Sequence, residues 1–323
     1  MREIFTCPIC DSPKSSFKLL YILNDKIHDV GGQYRVVECG NCGLFFINPQ
    51  PAREELKKHY PADYYSFISN PPPRYYGKSL AAKLMTAFRH PIDAVVSLLE
   101  LPLRRREIFQ HNARLLDIGC GQGEFLQRLR RKPRYNMQLY GVDIGDVDVE
   151  SMRKESINFF KGDLLDAGFE DGFFDIITLN HVLEHMEDPV RTFKEISRIL
   201  KKDGRLVIGI PNTQSATYFL FKENSVQLDV PRHLFDYSVC TIKLLAEKTG
   251  FKIINLRYTS SPFQFLGSLE YALNKFRKNK VFLSESKLIN NQSLKALLYP
   301  LCYLFNMLRI GDQIEVTLKK SDD

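Results

Sequence analysis

The sequence predicts an α/β fold, a doubly wound and mostly parallel seven-stranded sheet with helices on both faces, preceded by a small cysteine-rich module and carrying a late helical insertion. Three observations point there. From Arg114 onward, short apolar runs alternate with helical patterns, which is the grammar of a parallel sheet. Two tight cysteine pairs lie near the N-terminus. The 323 residues are 44% hydrophobic and 26% charged, a globular composition that excludes disordered, collagen-like and disulfide-miniprotein readings.

The first residues show no basic stretch followed by an apolar run and a small-residue cleavage site, so a cytoplasmic location is expected. Seven cysteines are an odd number. Cys7 and Cys10 form one Cys-x-x-Cys pair and Cys39 and Cys42 another, with 28 residues between the pairs. Zinc takes four soft ligands in a tetrahedron, and two such turns supply them when a hairpin brings them together. Four protein ligands leave no open position, so this metal is expected to be structural. Gly40 and Gly43 suit knuckle turns that need positive φ. Cys120, Cys240 and Cys302 sit in apolar patterns and are expected in the core.

The zinc-ribbon-like module is expected to span residues 1–50 and to close at Asn48–Pro51. A helical connector over 51–112 follows, holding the tyrosines of Asp63–Tyr65, an extended Asn70–Pro73 and an apolar helical pattern over Ser79–Phe109; it is expected to cover the acceptor. Residues 113–323 form the large domain. Its strands are expected at Arg114–Gly119, Leu139–Asp143, Ile157–Phe160, Phe174–Leu179 and Arg205–Ile210, with helices at Glu124–Arg131 and Pro189–Leu200 and a turn at Lys202–Gly204. Two later strands, Phe251–Tyr258 and Asp312–Lys320, bracket a helical insertion at about 261–311. Within it Leu294–Ile310 is very apolar yet contains Lys295, Pro300, Asn306 and Arg309. It falls at the short limit for a membrane span, so packing on the core is expected, with peripheral membrane contact as the alternative.

Between the first strand and its helix lies Asp117-Ile-Gly119-Cys-Gly121-Gln-Gly123. Glycines there let backbone approach a ligand closely. A dinucleotide fingerprint would need a glycine where Glu124 stands. An acid before the loop repels a pyrophosphate but suits an amino group or a cationic sulfur. Asp143 ends the second strand, where an acid accepts ribose hydroxyls in doubly wound sheets, and Asp163 follows the third.

These residues, Leu115–Gly123, Gly141–Asp143, Gly162–Asp163 and Phe174–Ile176, resemble the class I S-adenosylmethionine-dependent methyltransferases, whose Rossmann-like sheet ends in a reversed seventh strand. The resemblance implies that S-adenosylmethionine is bound by Asp117, Gly119, Gly121 and Gly123 at its methionine part, by Asp143 at the ribose and by Asp163 at the adenine, with Asn180 beside it. The four-cysteine module followed by Leu44–Pro49 also resembles sugar and polysaccharide methyltransferases, and the stretch after the fourth strand resembles ubiquinone-pathway enzymes.

That stretch runs Asn180, His181, Glu184, His185, and a second one holds Arg232, His233 and Asp236. A hydroxyl acceptor needs a base, for which His181 or His233 is suited, with Glu184 beside them. A resemblance to small-RNA 2′-O-methyltransferases implies an alternative in which His181, Glu184, His185 and His233 hold one divalent cation. The expected function is methyl transfer to a hydroxyl of a sugar, glycan or lipid-linked acceptor in polysaccharide biosynthesis. C-methylation of a nucleotide-linked keto sugar and RNA 2′-O-methylation are the alternatives, ahead of a non-enzymatic zinc-ribbon adaptor. The RNA reading rests on Arg104–Arg106 and on Arg128, Arg130, Arg131, Lys132 and Arg134, which more commonly form a solvated face, so no nucleic-acid partner is expected. The net charge of +7 is compatible with a phosphate-bearing acceptor.

Overall fold

A computed structural model describes residues 1–60, 111–131, 136–278 and 280–321. Most of the expected connector, Arg104–Arg106, Lys132 and Arg134 lie outside the described residues.

The N-terminal strands β1 (Phe17–Leu23), β2 (Tyr34–Cys39) and β3 (Phe45–Ile47) form an antiparallel sheet, followed by the one-turn helix α1 (Arg53–Leu56). The large sheet then builds through β4 (Arg114–Ile118), α2 (Glu124–Arg130), β5 (Gln138–Asp143), α3 (Val149–Lys154), β6 (Ile157–Lys161), β7 (Phe174–Asn180), α4 (Pro189–Ile199) and β8 (Leu200–Pro211). Next come α5 (Ala216–Phe221), β9 (Phe235–Asp236), α6 (Val239–Lys248), β10 (Phe251–Thr259), α7 (Pro262–Asn274), α8 (Lys287–Asn290), α9 (Gln292–Met307) and β11 (Gln313–Lys320).

The large sheet has the order β10-β11-β8-β7-β4-β5-β6. Strands β4 to β8 run parallel, and β11 is antiparallel to both neighbours. Its central strands are apolar because both faces are covered, and Leu115, Leu116, Ile177 and Leu206 are fully buried. Helix α4 shows the local logic. Asp188 caps it by accepting from the Arg191 amide, Pro189 takes the first turn, and Phe193, Ile196 and Ile199 bury one face.

Successive strands are added to one side of β4 as β5 and β6 and then to its other side as β7 and β8, so the loops after β4 and β7 meet at the switch point where such sheets bind ligands. The carboxyl ends of β4 to β8 all lie on that edge.

Four features depart from expectation. The Lys202–Gly204 turn lies within β8, because pairing with β7 jumps from Phe174↔Leu200 to Ile176↔Arg205 and the extra residues bulge. The sheet of the 1–50 segment takes its fourth strand, β9, from residues 235–236, with Phe45 opposite Asp236. One apolar cluster runs from Cys7, Val37, Leu44 and Phe46 of that segment into Leu116, Ile177 and Ile208 of the large sheet. Cys240 is exposed, because α6 buries Thr241, Ile242, Leu245 and Ala246 and turns the second residue outward; Cys120 and Cys302 are buried as expected.

The fourth departure is α9. One face packs as expected, with Cys302 buried and Leu294, Leu298, Leu301 and Phe305 half-buried toward β10 and α7, but the opposite face is apolar and open, with Leu297 and Met307 74% and 64% exposed. No helix among the described residues is long and apolar enough to cross a membrane.

Candidate functional site

The two cysteine turns are brought together by the β1–β2 hairpin. Cys7 Sγ lies 3.6 Å from Cys42 Sγ, and Cys10 Sγ lies 3.5 Å from Cys39 Sγ. All four sulfurs fall within 4.8 Å of one another. Zinc–sulfur bonds of ~2.3 Å in a tetrahedron require sulfurs about 3.8 Å apart, so the cluster fits zinc without rearrangement. The hydrogen bond between Cys7 and Cys42 pulls the Cys7 thiol down to about 5 and pushes the Cys42 thiol up, so this pair holds one proton between two sulfurs. Gly43 has the expected positive φ of 76°. Gly40 does not; it is needed because its amide donates to the Ser16 carbonyl at 2.9 Å and a Cβ there would meet that oxygen.

At the switch point, Gly119, Gly121 and Gly123 all have positive φ, at 68°, 50° and 73°. Asp143 holds this loop, since its Oδ2 accepts from the Gly121 amide and its Oδ1 from the Gly145 amide, each at 2.7 Å. The carboxylate expected at a ribose therefore also latches the loop against β5. Asp117 is buried beneath the loop and accepts from Thr178 Oγ1 at 2.6 Å. Burial pushes its carboxyl up to about 7, against the Thr178 hydrogen bond. Asp163 caps a short turn by accepting from the Leu165 amide, and Asn180 stands exposed at the end of β7.

The loop after β7 touches the glycine loop: a Cβ on Gly119 would lie 2.9 Å from Val182 Cγ1. His181 beside it has φ of 55°, a conformation that costs a side-chain-bearing residue about 1–2 kcal/mol. Its amide donates to the Gly209 carbonyl of β8, and its Nδ1 lies 3.1 Å from Glu184 Oε1. Glu184 is completely buried, and its Oε2 has no hydrogen-bond partner. His185 Nδ1 donates to the Arg232 carbonyl at 2.9 Å and lies 3.1 Å from the Tyr60 hydroxyl. His233 Nδ1 lies 3.0 Å from Asp236 Oδ1, and its ring meets that of His185 at 4.8 Å.

The charge state of this cluster follows from its neighbours. Burial alone would raise Glu184, but the His181 hydrogen bond and the surrounding imidazoles hold it at about 2. Burial lowers His185 to about 4. Burial would lower His233 too, yet Asp236 and Glu184 raise it to about 9. The carboxylates around His233 thus favour its protonated form. His181 turns Nδ1–H to the Glu184 carboxylate, which leaves Nε2 as the accepting nitrogen, and the side chain is 32% exposed.

Sequence reasoning missed the group that supports this cluster. The Arg232 guanidinium is fully buried and donates to both oxygens of Asp25 at 2.9 Å and to Asp229. Asp25 also accepts from His59 Nδ1 at 2.8 Å. Asp25 and Arg232 stand 207 residues apart in sequence, so no local signal joins them. Asp236 had a local signal, its spacing of three from His233. The basic cluster offered for RNA is partly committed elsewhere, because Arg130 donates to the carbonyls of Met137, Glu155 and Ser156.

A family model described as a methyltransferase domain matches residues 88–256, just over half of the 323-residue chain. The chain belongs to the methyltransferase-domain family. Its seven-stranded sheet with one reversed strand is the class I, Rossmann-like form of that domain. The chain is 32% identical over 126 residues to an uncharacterized 37.1 kDa protein of transposon TN4556 from Streptomyces fradiae, covering 38% of this chain and 36% of that protein. It is 28% identical over 145 residues to 2-phytyl-1,4-naphtoquinone methyltransferase of Trichormus variabilis, covering 42% and 58%. The chain thus spans less than two thirds of either relative. Among solved structures, phosphoethanolamine N-methyltransferase 2 of Haemonchus contortus with S-adenosyl-L-methionine aligns with a TM-score of 0.44 at 21% identity, over 68% of this chain and 51% of that one.

Proposed function

We propose that the protein is an S-adenosylmethionine-dependent methyltransferase acting on a hydroxyl of a sugar, glycan or lipid-linked small molecule, in the cytoplasm and within polysaccharide biosynthesis. One observation carries this reading: a three-glycine loop latched by Asp143 and underlain by Asp117 meets, at the switch point, a loop that presents a carboxylate-oriented histidine. Bound there, S-adenosylmethionine supplies an activated methyl group. Asp117 offers a buried carboxylate to a positively charged ligand, Asp143 and Asn180 offer acceptors at the strand ends, and the glycines leave room for close approach. His181, turned by Glu184, takes the proton of the acceptor hydroxyl at Nε2.

The four cysteines hold a structural zinc that fastens the β2–β3 turn, and through β3 the strand β9 that carries Asp236. The segment 1–50 serves as its module, 51–112 as the acceptor cover and 113–323 as the cofactor-binding domain, with the insertion at 261–311. The exposed apolar side of α9 is proposed to make the peripheral membrane contact, which suits a lipid-linked acceptor.

The test is calorimetric binding of S-adenosylhomocysteine, followed by transfer of labelled methyl to candidate sugar acceptors. Wild type is expected to bind and Gly121→Arg, which fills the loop, to lose binding. A folded wild type that binds neither S-adenosylhomocysteine nor S-adenosylmethionine would overturn the reading.

A further inference from the structure

We propose that Glu184, His185 and His233 form a second, three-ligand site for a divalent first-row transition ion, separate from the four cysteines and placed at the acceptor side of the switch point. The inference deepens the proposed function by assigning a metal to the same crevice, and rests on that reading only for the metal's use.

Geometry supplies the first argument. One ligand atom from each of the three residues lies within 4.8 Å of the other two, and these residues and the four cysteines are the two such groups among the described residues. Polar satisfaction supplies the second. Glu184 Oε2 is buried with no hydrogen-bond partner, and the other carboxylate oxygen, Oε1, faces His233 Nε2 at 4.0 Å. A buried carboxylate oxygen without a donor is costly, and a cation removes that cost.

The third argument concerns what stands behind each ligand. Metal-binding histidines nearly always give their other ring N–H to a carboxylate or carbonyl, which sets the tautomer and aims the free nitrogen. His185 gives Nδ1–H to the Arg232 carbonyl, and His233 gives Nδ1–H to Asp236. His181 occupies Glu184 Oε1. The Nδ1 atoms of both histidines are thus engaged, leaving their Nε2 atoms and the Glu184 carboxylate. His181 falls in the outer layer, so four expected ligands become three.

Two imidazoles and one carboxylate suit zinc, manganese, cobalt or iron better than magnesium or calcium, which favour oxygen sets. Three protein ligands leave a position open, the arrangement of catalytic rather than structural sites. An acceptor hydroxyl bound there would be polarised, within the loop that also presents His181.

The experiment uses the full chain with zinc already at the cysteines, titrated with Co²⁺ and Mn²⁺ by calorimetry. Wild type is expected to take up one further equivalent, its cobalt form showing visible bands without added thiolate charge-transfer absorption. Glu184→Gln and His185→Gln are expected to lose that equivalent while keeping the cysteine-bound zinc. Asp236→Asn, altered only behind a ligand, is expected to weaken it by about 10–100-fold. It keeps the proposal testable should the ligand variants fail to fold. A folded, zinc-filled wild type with no second equivalent, or uptake unchanged in all three variants, would overturn the site. S-adenosylhomocysteine binding on the same samples separates the claims. Ion uptake without it sinks the methyltransferase reading alone, and its binding without ion uptake sinks the cation site alone.

Discussion

Replacing Gly119 by alanine tests whether the glycine loop and the histidine loop are one mechanical unit. Two costs add at this position. With φ at 68°, a side-chain-bearing residue there costs about 1–2 kcal/mol. The new Cβ would also lie 2.9 Å from Val182 Cγ1 and 3.2 Å from Val182 Cβ. Val182 is β-branched and cannot swing an end away, so overpacking adds about 1–3 kcal/mol. Gly119→Ala is therefore expected to lose about 2–5 kcal/mol in denaturant unfolding, read from the midpoint at unchanged slope. Gly172→Ala isolates the backbone cost, since φ is 59° there and nothing lies within 4 Å of the added carbon; it should lose only about 1–2 kcal/mol. Adding Val182→Ala to Gly119→Ala should recover the steric part, leaving a coupling of about 1–3 kcal/mol. S-adenosylhomocysteine affinity should fall in Gly119→Ala and partly return in the double variant. If Gly119→Ala costs no more than Gly172→Ala, or Val182→Ala recovers nothing, the two loops do not press on each other and the reasoning fails.

Three further outcomes are expected. Asp117 has a folded value raised to about 7 against ~3.9 unfolded, so its effect on stability is fully favourable below about pH 4 and is lost as pH rises to 7. The difference between Asp117→Asn and wild type should swing by at most about 4 kcal/mol toward the variant over that range, and a pH-independent difference in unfolding free energy would contradict the buried carboxyl. Arg232→Met leaves Asp25 buried without its guanidinium and should cost about 3–5 kcal/mol, partly recovered by Asp25→Asn; a loss under 1 kcal/mol in calorimetric unfolding would show that the network bears little. Cys39→Ser should remove one tightly bound equivalent of zinc by elemental analysis and lower the melting temperature, whereas an unchanged zinc content would place that metal elsewhere.

The glycine loop and the acids at the strand ends were legible in the sequence because their demands are local. Three glycines with positive φ, an acid before them and acids at the ends of two further strands are each set by a few consecutive residues. The four cysteines were legible for the same reason, as each pair is one turn. The histidine cluster was legible in membership but not in role. Only the packed structure shows that Glu184 is completely buried, that His181 stands behind it, and that Asp236 lies 3.0 Å from His233 Nδ1.

The sequence by itself determined the alternation of strands and helices, the loop chemistry and the metal turns, because backbone conformation and tight-turn ligation depend on neighbours within about a turn. Tertiary structure alone decided that β9 completes the N-terminal sheet, that Arg232 reaches Asp25 across 207 residues, that Cys240 faces outward and that α9 leaves Leu297, Leu304 and Met307 uncovered. Those outcomes depend on which surfaces remain once the sheet has closed. Burial and partner choice between distant segments are properties of the whole packed chain, and no local pattern encodes them.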